Sequence, residues 1–251
     1  MKFLCNSVQS DFEKIKRQPI LLMHILYPIL TIILFNAYYL CTHWQVTSKA
    51  KGFLVVNAMV FPVLIASISS MAVEQEGYAG NFQNMLTSSK RITTFLSKII
   101  TFLFMGAISI LILTCGFSVA FTYILHQNPF TFSYYLYSAF ILFLSSIFIY
   151  ILHFIISFIF GGNISITLGV FETLLSALFF TNLGDGKWIF APCTWSMRFI
   201  MNFYNFVTRS PQFNSSISEL YTGIIVCILG TIVITILTCF WASKWEGRRS
   251  L

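Results

Sequence analysis

Six stretches of this chain, residues 20–41, 53–73, 92–125, 132–160, 164–183 and 220–243, run on with almost no charged side chain. Nothing else in the sequence limits the fold so strongly. About 20 predominantly apolar residues cross the hydrocarbon core as a helix, and a helix satisfies its backbone N–H and C=O groups within the segment. The sequence therefore predicts an all-α integral membrane protein with six transmembrane helices, forming one domain over residues 1–251. Composition agrees: 57% of the 251 residues are hydrophobic and only 9% are charged, against about 25% charged in an ordinary soluble domain. The first run reads as a retained span and not a cleavable leader, because an amphipathic stretch precedes it and no small-residue cleavage site comes after it.

Lysine and arginine set the orientation. With the N-terminus in the cytoplasm, the inner segments hold Lys2, Lys14, Lys16, Arg17, Lys90, Arg91, Lys98, Lys244, Arg248 and Arg249, ten of the fifteen basic residues. Lys49, Lys51, Lys187, Arg198 and Arg209 fall outside, the last three in a segment, 182–219, with structure of its own, and translocated segments become less sensitive to charge as they lengthen. Both termini are thus expected in the cytoplasm, beneath the cell membrane. Topology accounts for most of the formal charge of +7, and no nucleic-acid partner is expected.

Residues 1–19 alternate Phe3, Leu4, Val8, Phe12 and Ile15 with acidic and basic side chains at helical spacing. They predict an amphipathic elbow helix lying flat on the inner surface before Pro19 turns the chain into the first span. Pro28 and Pro62 fall inside the first and second spans, where kinks are expected. The extracellular interfacial segment, 182–219, is rich in aromatics, with Trp188, Trp195, Phe199 and Phe203 beside Arg198. Two readings stand: an aromatic belt that anchors the sixth span, or a surface that also faces an amphipathic cargo.

A search for chemistry is mostly negative. No G-x-x-x-x-G-K-[ST] loop occurs, so the chain is not expected to bind ATP in that way. The six cysteines form no C-x-x-C pair, and neither a metal site nor a catalytic residue is indicated. Two ionisable residues fall within spans, where such groups tend to be paired. His153 stands seven residues before the inner end of the fourth span and Glu172 eight after the inner start of the fifth, so an antiparallel hairpin places them at nearly equal depth and within reach of each other. A structural clamp or a Glu172 facing the transport path both fit that placement.

The longest polar interruption is 74–91, between the second and third spans. It carries Glu74 and Glu76, the breakers Gly77 and Gly80, then Asn81, then Lys90 and Arg91. Tyr78, Phe82, Met85 and Leu86, at spacings of four, three and one, predict one apolar face on a helix too short to be stable in water alone. Acids before such a helix and bases after it suit its dipole. Either the face docks in a groove of another protein, or the segment is a connector folded back on its own membrane domain.

An elbow, six spans, the segment EQEGYAGNFQNMLTSSKRITTFLSK (74–98) after the second span and a long outer segment before the sixth resemble the ABC-2 type permeases. More closely, that segment and DFEKIKRQPILLMHILYP (11–28) resemble the membrane subunits of lantibiotic self-immunity transporters, the MutG and MutE type of the LanFEG systems of Gram-positive bacteria. The resemblance implies a non-catalytic permease that expels lantibiotic peptide from the bilayer to the outside. It implies two copies of a cytoplasmic ATPase carrying ATP and Mg, and a second permease subunit, commonly a paralogue. Carried over, 76–86 is the coupling helix that docks on the ATPase, flanked by 1–17. A cationic, amphipathic peptide already in the bilayer interface is expected to enter laterally from the outer leaflet, between the first, second and fifth spans and beneath the aromatic outer segment. An ABC-2 permease exporting a drug, lipid or polysaccharide shares the architecture, and a membrane immunity protein that sequesters peptide without pumping is the other alternative.

Overall fold

The computed structural model describes residues 2–16, 18–78, 80–88 and 90–247; Met1, Arg17, Arg248 and Arg249, which the sequence places in the elbow or the basic flanks, lie outside the described residues. Among the described residues there are nine α-helices and no strand: α1 (Lys2–Ile15), α2 (Pro19–Leu40), α3 (Val46–Tyr78), α4 (Gln83–Leu86), α5 (Arg91–Tyr123), α6 (Phe132–Phe160), α7 (Gly162–Phe179), α8 (Trp195–Val207) and α9 (Pro211–Lys244). Three single turns of 3-10 helix, Asn182–Gly184, Trp188–Phe190 and Pro192–Thr194, lead from α7 to α8. Six helices, α2, α3, α5, α6, α7 and α9, are long and apolar enough to cross a membrane. The helix α1 and the C-terminal end of α9 lie at the same, basal end of the bundle, and α8 lies at the distal end.

The fourth span keeps the bounds that its apolar run gives it, whereas the second and sixth are longer than theirs. The 33 residues of α3, at about 1.5 Å each, make a rod of roughly 50 Å, well beyond a hydrocarbon core of about 30 Å. Its extra turns are polar, Thr47 to Gly52 at one end and Glu74 to Tyr78 at the other. Helical hydrogen bonding continues there without apolar side chains. Pro211 opens α9, and a proline in the first turn gives up an N–H that has no helical partner.

The span α3 is the axis of the bundle, with 61% of its apolar window buried against 17% for α9. It runs along α7 and also meets α6 and α8. The backbones of α3 and α7 approach closely at Gly169, where a Cβ would stand 2.7 Å from that of Ala66; small residues permit this contact, as at many membrane helix crossings. Towards the distal end, Phe53 and Phe117 stack with centroids 3.7 Å apart. Lys49 is only 3% exposed there and donates to Tyr39 O at 2.9 Å and Gln127 Oε1 at 3.3 Å. It compensates the carbonyl end of α2, so it is no solvent-facing charge.

The amphipathic elbow helix forms as expected, and its apolar face is fixed to the bundle. Its helix α1 packs on α5, with Phe12 edge-on to Phe104 at 5.4 Å and both Asp11 and Ile15 buried. The reason is electrostatic as much as hydrophobic, and it lies in the basal site.

Candidate functional site

Lys98 lies on α5 two helical turns after Arg91 and is 7% exposed. Its Nζ donates to Asp11 Oδ1 on α1 at 3.2 Å and to Glu76 Oε1 on α3. Ser97 donates to the other Asp11 oxygen at 2.7 Å, and Lys14 approaches Glu76 at 3.9 Å. One buried cation thus holds three helices together at the base. A buried charge is tolerated only when paired and hydrogen-bonded, and this pairing fixes α1 against α5.

Glu74 and Glu76 therefore do not precede a dipole-matched loop helix. Gly77 does not break the chain: α3 continues through both acids, Gly77 and Tyr78. The break comes at Gly80, Asn81 and Phe82, with φ of +144°, +48° and +64°, a left-handed run that side chains disfavour. The helix beyond it, α4, is only four residues long. Tyr78 consequently does not share the inward face of Phe82, Met85 and Leu86. Tyr78 is 90% exposed, whereas Phe82 and Met85 are buried at 4% and 1%. The Phe82 ring lies 5.6 Å from Phe158 and 5.3 Å from Trp245, and Gly77 makes room for it, since a Cβ there would stand 3.3 Å from the ring. Burial of that ring offsets the strain of its backbone. Arg91 donates to Trp245 O at 3.1 Å, and Leu86 packs against the same core. The loop is thus bolted to the C-terminal end of α9, while Tyr78, Gly80, Asn81 and Gln83 remain outward at its tip. Glu74 sits at the start of α7, in space that a Cβ on Gly162 would fill, where free helix N–H groups favour a carboxylate.

Within the spans, His153 and Glu172 are brought together across the α6–α7 hairpin, His153 Nε2 lying 2.9 Å from Glu172 Oε2. Ser165 completes the cluster 3.0 Å from His153 Nδ1 while donating to His153 O at 3.4 Å. Imidazole, carboxylate and hydroxyl thus satisfy one another's polar atoms away from water, as a low dielectric requires. Replacing His153 with leucine strands the carboxylate and is expected to destabilise the protein by about 3–5 kcal/mol; thermal unfolding of the purified protein reads this. The double substitution His153→Leu/Glu172→Leu is expected to recover most of the loss.

The outer aromatic segment is turned inward more than its composition suggests. Trp188, Trp195 and Arg198 are buried at 1%, 2% and 9%. Trp188 donates to Glu219 Oε2 at 3.0 Å and Trp195 to Ile189 O at 2.9 Å. Arg198 donates to Phe179 O and Thr181 O, the open carbonyls after α7, and to Asp185 Oδ1 at 2.9 Å. Indole N–H and guanidinium groups away from water need such partners. These three side chains hold the distal cap together and offer no free surface. Phe199 and Phe203 instead line a cleft of about 640 Å³ between α6, α8 and α9, not between the first, second and fifth spans. Cys193, beneath the cap, has its thiol pushed up to about 11, chiefly by burial. A maleimide near neutral pH is expected to label exposed Cys5 and Cys41 readily and Cys193 scarcely at all, a difference that peptide mapping of the labelled protein reads.

Sequence reasoning missed Asp11, Trp245 and the hub role of Lys98. A lone lysine two turns inside an apolar run was the available signal for the last.

Six apolar helices, a platform of ion pairs and aromatics at one end and a sealed cap at the other define a multi-pass, all-α membrane protein. The family profile described as ABC-2 family transporter protein matches residues 7–181, from the elbow through the fifth span, and the chain belongs to that family. No curated protein and no solved structure shows significant similarity to it. The protein is accordingly a membrane permease subunit of an ABC transporter, working with an ABC ATPase.

Proposed function

We propose that this permease expels lantibiotic peptides from the membrane to the outside, giving self-immunity or resistance in a Gram-positive bacterium. Its basal end faces the cytoplasm, and ATP and Mg are bound by two copies of the partner ATPase. A second, paralogous permease completes the membrane domain. The observation that carries the coupling half is the division of residues 78–86 into an exposed tip, led by Tyr78, and a buried root, Phe82 and Met85. A tip that protrudes while its root is locked passes force inward without deforming. Closure of the ATPase pair moves the root, hence the base of α9 through Trp245, and the bases of α1 and α5 through Glu76 and Lys98. Such a displacement of packed helices is a common gating motion. The peptide half rests on the resemblance of 74–98 and 11–28 to the self-immunity subunits.

The test is susceptibility of a sensitive Gram-positive host carrying this chain with its partner permease and ATPase. Several lantibiotics are compared with unrelated drugs. The expected result is a several-fold rise in the inhibitory concentration for lantibiotics alone, abolished when the ATPase cannot hydrolyse ATP. Protection only against unrelated compounds refutes the peptide assignment, and protection that persists without hydrolysis points to sequestration.

A further inference from the structure

The distal cleft opens sideways from the bundle: Phe140, Leu144, Phe206 and Ile228 line it and are all exposed. In a membrane its solvent is therefore the hydrocarbon of one leaflet. Its few hydrogen-bonding side chains are satisfied within the protein. Ser145 donates to Ile141 O at 2.7 Å, Thr231 to Cys227 O at 2.7 Å, and Asn202 donates to Arg198 O at 3.0 Å while accepting from Ser216 at 2.7 Å. A polar ligand gains no partner there, and an apolar chain loses none. The volume of about 640 Å³ falls within the roughly 300–1,000 Å³ of ordinary small-ligand sites.

The mouth adds a charge. Phe206 at the end of α8 and Phe213 at the start of α9 both line the cleft, with ring centroids 5.2 Å apart. The turn between them carries Arg209, exposed and held at φ +53°. Among the described residues Arg209 has no carboxylate partner; the ion pairs are made by other groups. An apolar slot bounded by a turn that carries an exposed arginine without a carboxylate partner matches a phospholipid, whose phosphate takes the fork of an arginine while its tail fills the slot. We infer that this cleft is a binding site for one anionic phospholipid, an acyl chain lying between α6, α8 and α9 and its phosphate on Arg209. The inference needs only the membrane placement of the chain and is independent of what the transporter exports.

The full chain is placed in phosphatidylcholine nanodiscs containing a minor share of phosphatidylglycerol with a photoreactive diazirine in its acyl tail, irradiated, and mapped by mass spectrometry. Adducts are expected to concentrate on 140–147, 199–206 and 220–232, far above those on the equally exposed face of α2. Arg209→Gln, a change on an exposed turn, is expected to lower that yield about tenfold, as loss of a charge-assisted hydrogen bond implies. Thr231→Trp, which fills the slot, is expected to reduce it to background. Adducts spread in proportion to exposure, or a yield unchanged by Arg209→Gln, overturn the assignment. So does displacement of the labelled lipid by a stoichiometric cationic amphipathic peptide, which makes the cleft a peptide site.

Discussion

Replacing Lys98 with methionine is expected to unseat the elbow helix and abolish transport. The substitution keeps the length and packing of the side chain but leaves Asp11 and Glu76 facing each other, both largely buried, without their shared cation. Removing one partner of a buried ion pair costs about 3–5 kcal/mol. Lys14, 45% exposed and 3.9 Å from Glu76, is too well solvated to replace it. Hydrogen exchange is expected to rise sharply over 2–15 while the spans stay protected. Asp11→Asn combined with Lys98→Met leaves only Glu76, near Lys14, and is expected to recover much of the stability; that non-additivity identifies a coupled network. Unchanged exchange over 2–15 in the single variant contradicts the hub.

The second large effect is expected from Phe82→Ala. Truncating a fully buried phenylalanine costs about 3–5 kcal/mol, and here the lost contacts are the rings of Phe158 and Trp245 that fix the loop to α6 and α9. The alanine keeps the unfavourable left-handed backbone with nothing to offset it. Acrylamide quenching of tryptophan fluorescence is expected to increase as Trp241 and Trp245 become accessible, and transport is expected to fail even where the ATPase still binds. Tyr78→Ala is the opposite case: a side chain 90% exposed contributes little to the fold, so unfolding is expected to stay unchanged while partner binding is lost.

These contrasts mark where sequence reading succeeds and where it stops. The six spans were legible because lipid demands long apolar helices, and the His153–Glu172 approach came from counting residues on either side of a tight hairpin. The ends of α3 and α9 were not legible, since their last turns are polar. The shape of 74–91 was hidden for a different reason. Helical spacing of Tyr78, Phe82, Met85 and Leu86 assumes a continuous helix, and the left-handed backbone at Asn81 and Phe82 breaks that assumption against local preference. Trp188, Trp195 and Arg198 read as interfacial from composition. Their inward direction depends largely on backbone carbonyls after α7 and beside α8, which leave no trace in residue type.

Docking of the ATPase on the exposed tip around Tyr78 and Gln83 is the central claim. The most direct measurement is mass spectrometry of the intact complex, purified after expression with the products of neighbouring genes, for the natural chain and for Tyr78→Ala/Gln83→Ala. The natural chain is expected to carry two ATPase copies, and the double variant to lose them with its unfolding profile unchanged. Recovery of the ATPase undiminished by the double variant, or of a permease that never carries one, contradicts the assignment of this tip.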